Sequence, residues 1–132
     1  MIATWARKYI GLPYQDAAWG PDYYDCWGIL ALVYRKEFDI DIIDDMVMYS
    51  SRIDKVKRLQ KYIRFWKPVD NPEIGDGVLC LIAGKLPHCG IYVGDKKMLH
   101  SIENTSSCIQ RLDHIQWRSR IEGYYRYSPS NS

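Results

Sequence analysis

Asp25-Cys26-Trp27-Gly28-Ile29-Leu30-Ala31-Leu32-Val33-Tyr34 sets a thiol directly before a compact apolar run. The run predicts a buried helix that begins at the cysteine and ends near Glu37. At a helix start, the N–H groups and the positive end of the helix dipole favour thiolate over thiol, and the thiolate is the nucleophilic form. Taken alone, a buried cysteine is more often an inert small hydrophobe. Partners from elsewhere in the chain have to decide between the two.

Upstream, Thr4 is placed to cap a first helix through Trp5-Ala6-Arg7-Lys8-Tyr9-Ile10, and Gly11-Leu12-Pro13 stops it. Residues 15–24, rich in Gly, Pro, Asp and Tyr, read as a loop leading to Cys26. Downstream, Asp39, Asp41, Asp44 and Asp45 interleave with isoleucines as an irregular link. From Ser50 to about Phe65, Ile53, Val56, Leu59, Ile63 and Trp66 recur at helical spacing, with Lys55, Lys57, Arg58, Lys61 and Arg64 on the other faces. That pattern predicts an amphipathic basic helix.

After Pro68 the texture changes to short strand-like runs. They are Val78–Ile82 after the turn Gly75-Asp76-Gly77, then Cys89–Val93 and Met98–Ile102 around the hairpin signal Gly94-Asp95-Lys96-Lys97. Cys108–Leu112 and Gly123–Tyr127 add two more. Helices first and an antiparallel sheet afterwards imply an α+β domain.

At 132 residues, 47% hydrophobic and 26% charged, the chain has the make-up of one domain with its own core, and 128–132 reads as a loose tail. No secretory signal is readable at Met1–Tyr9, and no apolar run approaches the roughly 20 residues of a membrane helix. The expectation is a protein made in the cytoplasm without a signal peptide. The net charge of +2 conceals a patch: residues 51–67 carry seven basic side chains against one acidic. The bland reading is a solvated helix face, and the functional one is a contact for an anionic partner such as a wall polymer or another protein. The patch is short and sits in no recognised nucleic-acid module, so no nucleic acid is expected. Four cysteines (Cys26, Cys80, Cys89, Cys108) fit neither a tight disulfide framework nor a zinc spacing, so reduced thiols and no metal or cofactor are expected.

Pairing of 89–93 with 98–102 brings His88 and His100 to the same open end of the hairpin. A catalytic imidazole needs one nitrogen toward the nucleophile and the other held by a polar group that fixes its orientation. Cys26, His88 and His100 can supply all three parts. His114 has no such partnership, and Cys80, Cys89 and Cys108 read as small apolar sheet residues.

Five motifs stand in order: Gly11-Leu12-Pro13-Tyr14, Asp25-Cys26-Trp27-Gly28, Gly75-Asp76-Gly77-Val78, His88-Cys89-Gly90-Ile91-Tyr92-Val93-Gly94 and Met98-Leu99-His100. Together they resemble the NlpC/P60 family of cell-wall cysteine peptidases, over roughly residues 3–127. His100 follows His88 by twelve positions, and Tyr14 precedes Cys26 by twelve, as in that family. The stretch at about 43–67, with the basic helix, is the least family-like part and reads as an insertion. Asp25-Cys26-Trp27-Gly28 and the closing Gly123-Tyr124-Tyr125-Arg126 are most similar to stand-alone members of tailed phages and prophages. Trp27 departs from the small residue many bacterial members carry.

The resemblance implies a minimal papain-like fold with Cys26 as nucleophile, His88 as base and acid, and His100 as its orienting partner. It also implies an oxyanion and substrate region including Tyr14, Asp25 and Trp27. The implied substrate is the γ-D-glutamyl to diamino-acid bond of peptidoglycan stem peptides, and the implied setting is a phage tail contacted through Lys55, Lys57, Arg58, Lys61 and Arg64. Two other classes remain: a structural tail-assembly component with a weak or idle site, and an acyltransferase or amidase on the same scaffold.

Overall fold

The computed structural model describes residues 1–16, 18, 20–42, 65–82, 84 and 86–128. The basic helix expected over 50–65 falls almost wholly on 43–64, outside the described residues, together with Lys55, Lys57, Arg58, Lys61 and Arg64.

Among the described residues one α-helix, α1 (Cys26–Glu37), lies against a six-stranded antiparallel sheet. The strands are β1 (Trp66–Val69), β2 (Gly77–Ile82), β3 (Leu86–Gly94), β4 (Lys97–Ser101), β5 (Ser107–Arg111) and β6 (Ile121–Tyr127), in the order β1-β6-β2-β3-β4-β5. Every residue of α1 from Cys26 to Tyr34 is buried, and only Arg35 and Lys36 in the last turn are exposed. A helix apolar all round has to be enclosed on every side. Its packing against β3 and β4 covers one side, through Cys89, Ile91, Val93 and Leu99. Ala6, Tyr9 and Trp5 from the N-terminal segment, with Tyr34, Phe38 and Trp66, complete the cluster.

The N-terminal segment differs from its expected form. It winds as a 3-10 turn, Ala6–Tyr9, preceded by Trp5 with no side-chain cap, so Thr4 does not cap an α-helix there. Ile10 is already extended and Gly11 has φ +90°, which leaves room for four helical residues only. The turn is anchored instead: the Tyr9 hydroxyl donates to the Glu37 carboxylate, which Lys8 also meets at 2.7 Å. Trp66, expected as the last apolar residue of the basic helix, begins β1 and pairs with Tyr127. Its ring lies 5.5 Å from that of Tyr34 and 5.2 Å from that of Tyr127. Pro68 is accommodated because β1 is an edge strand.

The β3–β4 connection is tighter than a four-residue loop. Gly94 pairs with Lys97, and Asp95 and Lys96 have φ of 54° and 57°. Two successive positive φ values make a type I′ turn, whose twist matches that of the strands it joins.

Candidate active site

Asp25 begins the site. It is fully buried and extended, and its Oδ1 accepts the N–H of Gly28 at 2.7 Å. This is an N-cap, which turns the chain into α1 with Cys26 as the first helical residue. The first N–H groups of a helix have no acceptor within it, so the Cys26 sulfur stands where helical donors and the dipole are concentrated.

Three contacts hold that corner. Ser101 Oγ, at the end of β4, donates to the Tyr24 carbonyl at 2.8 Å. The Tyr24 N–H reaches the Pro13 carbonyl at 2.9 Å, and Pro13 forms a bridge with Ser106. The segment carrying Tyr14 is thereby placed beside the approach to Cys26. Tyr14 is half-buried, and its hydroxyl points toward Asp16 Oδ1 at 3.4 Å.

The histidines come from neighbouring strands. His88 lies inside β3, which starts at Leu86, and His100 sits one residue before the end of β4. His88 Nε2 and His100 Nδ1 are 2.7 Å apart, with the rings edge-on at 72°. Gly90 makes this possible. A Cβ there would stand 2.9 Å from Met98 Sδ, 3.2 Å from the Leu99 carbonyl oxygen and 3.3 Å from His100 Cβ.

Electrostatics separates the members. Burial pushes the pKa of His100 down to about 3, helped by the nearby His88 and opposed by Gln110 and Cys26. His100 is therefore neutral at any working pH. Burial pushes the Cys80 thiol up to about 12, with Cys26 adding to the rise and Arg120 opposing it. Cys26 thus lies within electrostatic reach of both His100 and Cys80, and Cys80 stays protonated.

Two residues without a signal in the sequence complete the surroundings. Gln110 Oε1 on β5 is 2.8 Å from His100 Nε2 and accepts the Trp117 indole N–H at 2.8 Å. Trp117, nearly fully buried between β5 and β6, stacks on His88 at 5.4 Å and 21° and meets His100 edge-on at 4.9 Å. The Arg120 guanidinium lies over the Trp117 ring, 5.7 Å from its centre. Gln110 faces Met98 across the β4–β5 ladder, on the same side as His100. That position is a consequence of register, and Trp117 arrives from a turn of its own.

Trp27 goes elsewhere. It is 6% exposed and lines an apolar cavity of about 30 Å³ with Leu30, Trp66, Leu79, Cys89 and Tyr125. Such a volume holds about one small group, so the ring is core packing. His114 stands at the surface with its Nδ1 accepting the Gln116 N–H at 3.1 Å, apart from the site. Cys89 belongs to the main core, and no disulfide joins the four cysteines. Among the described residues no group of three or more His, Cys, Asp or Glu is arranged to hold a metal ion. Nor is any helix among them long and apolar enough to cross a membrane.

Solved structures share this architecture. An NlpC/P60 family protein of Bacillus cereus superposes with a TM-score of 0.69 at 24% identity, covering 94% of this chain and 38% of that one. A lipoprotein-like NLP/P60 protein of Staphylococcus aureus gives 0.64 at 21%, covering 93% and 39%. The NlpC/P60 domain of the peptidoglycan hydrolase SagA gives 0.61 at 22%, covering 92% and 91%. The chain spans about two fifths of the length of the first two proteins and almost the whole of the SagA domain. The NlpC/P60 family model matches residues 11–126, a span that takes in Tyr14, Cys26, His88 and His100 in order. The chain belongs to the NlpC/P60 family, a family of cysteine peptidases.

Proposed function

We propose that the protein hydrolyses peptidoglycan stem peptides at the γ-D-glutamyl to diamino-acid amide bond. Cys26 is the nucleophile, His88 the general base and acid, and His100 the orienting residue. The observation that carries this reading is the 2.7 Å contact between His88 and His100 beside a cysteine that opens a capped, buried helix. The Cys26 thiolate attacks the amide carbonyl carbon, forming a C–S bond and an oxyanion. Donors for that oxyanion are the Cys26 backbone N–H and the Tyr14 hydroxyl. As the C–N bond breaks, His88 gives its proton to the departing amine. Water then attacks the thioester with His88 taking its proton, and the acid product leaves Cys26 as thiolate.

The same reading places the enzyme in a phage or prophage tail, with the basic segment at its partner. Its support is the sequence likeness at Asp25-Cys26-Trp27-Gly28 and Gly123-Tyr124-Tyr125-Arg126. Detection of the protein in purified particles of a phage that encodes it supports this setting, and absence from them overturns it. What speaks against an idle structural role is the His88–His100 contact together with Cys26 within electrostatic reach of His100.

Mass spectrometry of defined muropeptides separates the chemical readings. Wild-type protein is expected to release the diamino-acid amine from γ-D-glutamyl peptides, and Cys26→Ala to release none. Equal cleavage by the two proteins removes the nucleophile. Transfer of the acyl group to an added amine in preference to water supports the acyltransferase class instead.

A further inference from the structure

We infer that Gln110, held by Trp117, is a positioning residue that fixes the tautomer of His100 and through it selects Nδ1 of His88 as the proton-transferring atom. The inference rests on the assignment of Cys26, His88 and His100 as nucleophile, base and orienting residue, and extends the hydrogen-bond chain by two partners beyond His100.

The chain of donors and acceptors can be followed from Trp117. An indole N–H only donates, so the Gln110 amide presents its oxygen to Trp117, 2.8 Å away. The same oxygen is 2.8 Å from His100 Nε2. Two acceptors do not bond each other, so His100 carries its proton on Nε2. A neutral imidazole has one N–H and one lone pair, and burial keeps His100 neutral. Nδ1 of His100 is therefore an acceptor. His88 Nε2, 2.7 Å from it, must donate.

That leaves Nδ1 of His88 as the nitrogen whose proton comes and goes. When His88 is neutral, Nδ1 holds the lone pair that takes a proton, and when it is charged, Nδ1 holds the proton given to the leaving amine. Trp117 does two things in this arrangement. Its N–H fixes the amide of Gln110, and its face stacks on His88 at 5.4 Å, limiting rotation of the imidazole. Gln110 suits the task because an amide accepts without bringing a charge. A carboxylate in its place would favour a second proton on His100, and an Nδ1–H there would oppose the His88 donor.

Two-bond proton–nitrogen correlation spectra of the histidine rings, recorded without substrate, test this directly. Wild-type protein at neutral pH is expected to show His100 protonated on Nε2 and bare on Nδ1. Gln110→Leu should move His100 to a mixture or to the Nδ1–H form, with kcat for muropeptide cleavage falling about 10-fold to 10²-fold at unchanged KM. Trp117→Phe keeps the stacked ring, removes the N–H and should give a smaller shift in the same direction. A wild-type spectrum with His100 protonated on Nδ1 overturns the proposal whether or not the variants fold. So does an unchanged His100 tautomer in folded Gln110→Leu. Absence of muropeptide cleavage by wild-type protein with the expected tautomers would instead overturn the peptidase reading and leave the hydrogen-bond chain standing.

Discussion

Gly90 is the glycine whose added carbon would press on the histidine pair. It lies between His88 and Tyr92 on the face of β3 that meets Met98 and His100 on β4, and no Cβ fits there without displacing one of them. Gly90→Ala should cost stability by roughly 1–3 kcal/mol through overpacking and lower kcat more than KM, because His100 has to shift from His88. Denaturation curves and muropeptide kinetics check the two effects together, and a variant with wild-type values for both would mean that the strands yield easily. His100 offers a second test through pH. Unfolded, a histidine takes its proton near 6.5, whereas in the fold His100 takes it only at about 3. Between these values the unfolded chain binds more protons. The contribution is whole above about pH 6.5 and is lost as pH falls toward 3, by on the order of 1.4 kcal/mol per unit at the steepest. His100→Asn should flatten this acid limb in denaturant titrations, and parallel limbs for the two proteins would show that His100 is not held neutral.

At the scale of elements, α1 and the β3–β4 hairpin are two prefabricated parts that Ser101 and Tyr24 fasten together. The start of α1 depends on Asp25, whose carboxylate supplies a helix-initiating acceptor at no exposure to water. Asp25→Ala should destabilise the protein by about 1 kcal/mol, within the range of roughly 0.5–2 found for lost caps, and should slow alkylation of Cys26 by iodoacetamide. Asp25→Asn retains the cap and should restore most of the stability. If Asn does no better than Ala, the negative charge matters more than the cap. The hairpin depends on two residues with positive φ, Asp95 and Lys96, neither of them glycine. Its shape fixes which residues of β3 face which of β4, and that register sets His88 beside His100.

At the scale of the molecule, the sheet carries β6 into its interior between β1 and β2, so the last strand closes over the middle of the chain. Arg126 holds that closure by a paired contact of 2.9 and 2.8 Å with the carboxylate of Asp76. Tyr125 beside it lines the same small cavity as Trp27. The closing motif and the cysteine motif therefore meet through packing. The basic segment, 51–67 of the sequence, is proposed to bind an anionic partner. Reversing Lys57, Arg58 and Lys61 to Glu should weaken pelleting with purified cell walls at low salt, while muropeptide cleavage stays unchanged. Binding that keeps its strength and its salt dependence would make the patch an ordinary solvated face.

Local chemistry is written where residues are adjacent, and there the sequence is decisive. Asp25 before Cys26, an apolar run after it, alternating strands and a turn signal at 94–97 are enough for the α+β fold, for α1 and for the hairpin that pairs His88 with His100. These depend on short-range hydrogen bonds and on periodicity, which neighbours in the chain determine. The sequence was less informative where the outcome turned on competition between distant groups. Trp66 fits a helical period yet forms a strand, because Tyr34 and Tyr127 offer its ring a better site. Residues 6–9 coil into a 3-10 turn because Glu37, far along the chain, fixes Tyr9 and Lys8. Trp27, set beside the nucleophile, points into the core because every side of α1 is enclosed. Gln110 and Trp117 carry no motif at all. Only the register of β4 on β5 and the turn before β6 bring an amide and an indole to His100, since a hydrogen-bond chain through three elements exists only once those elements have packed.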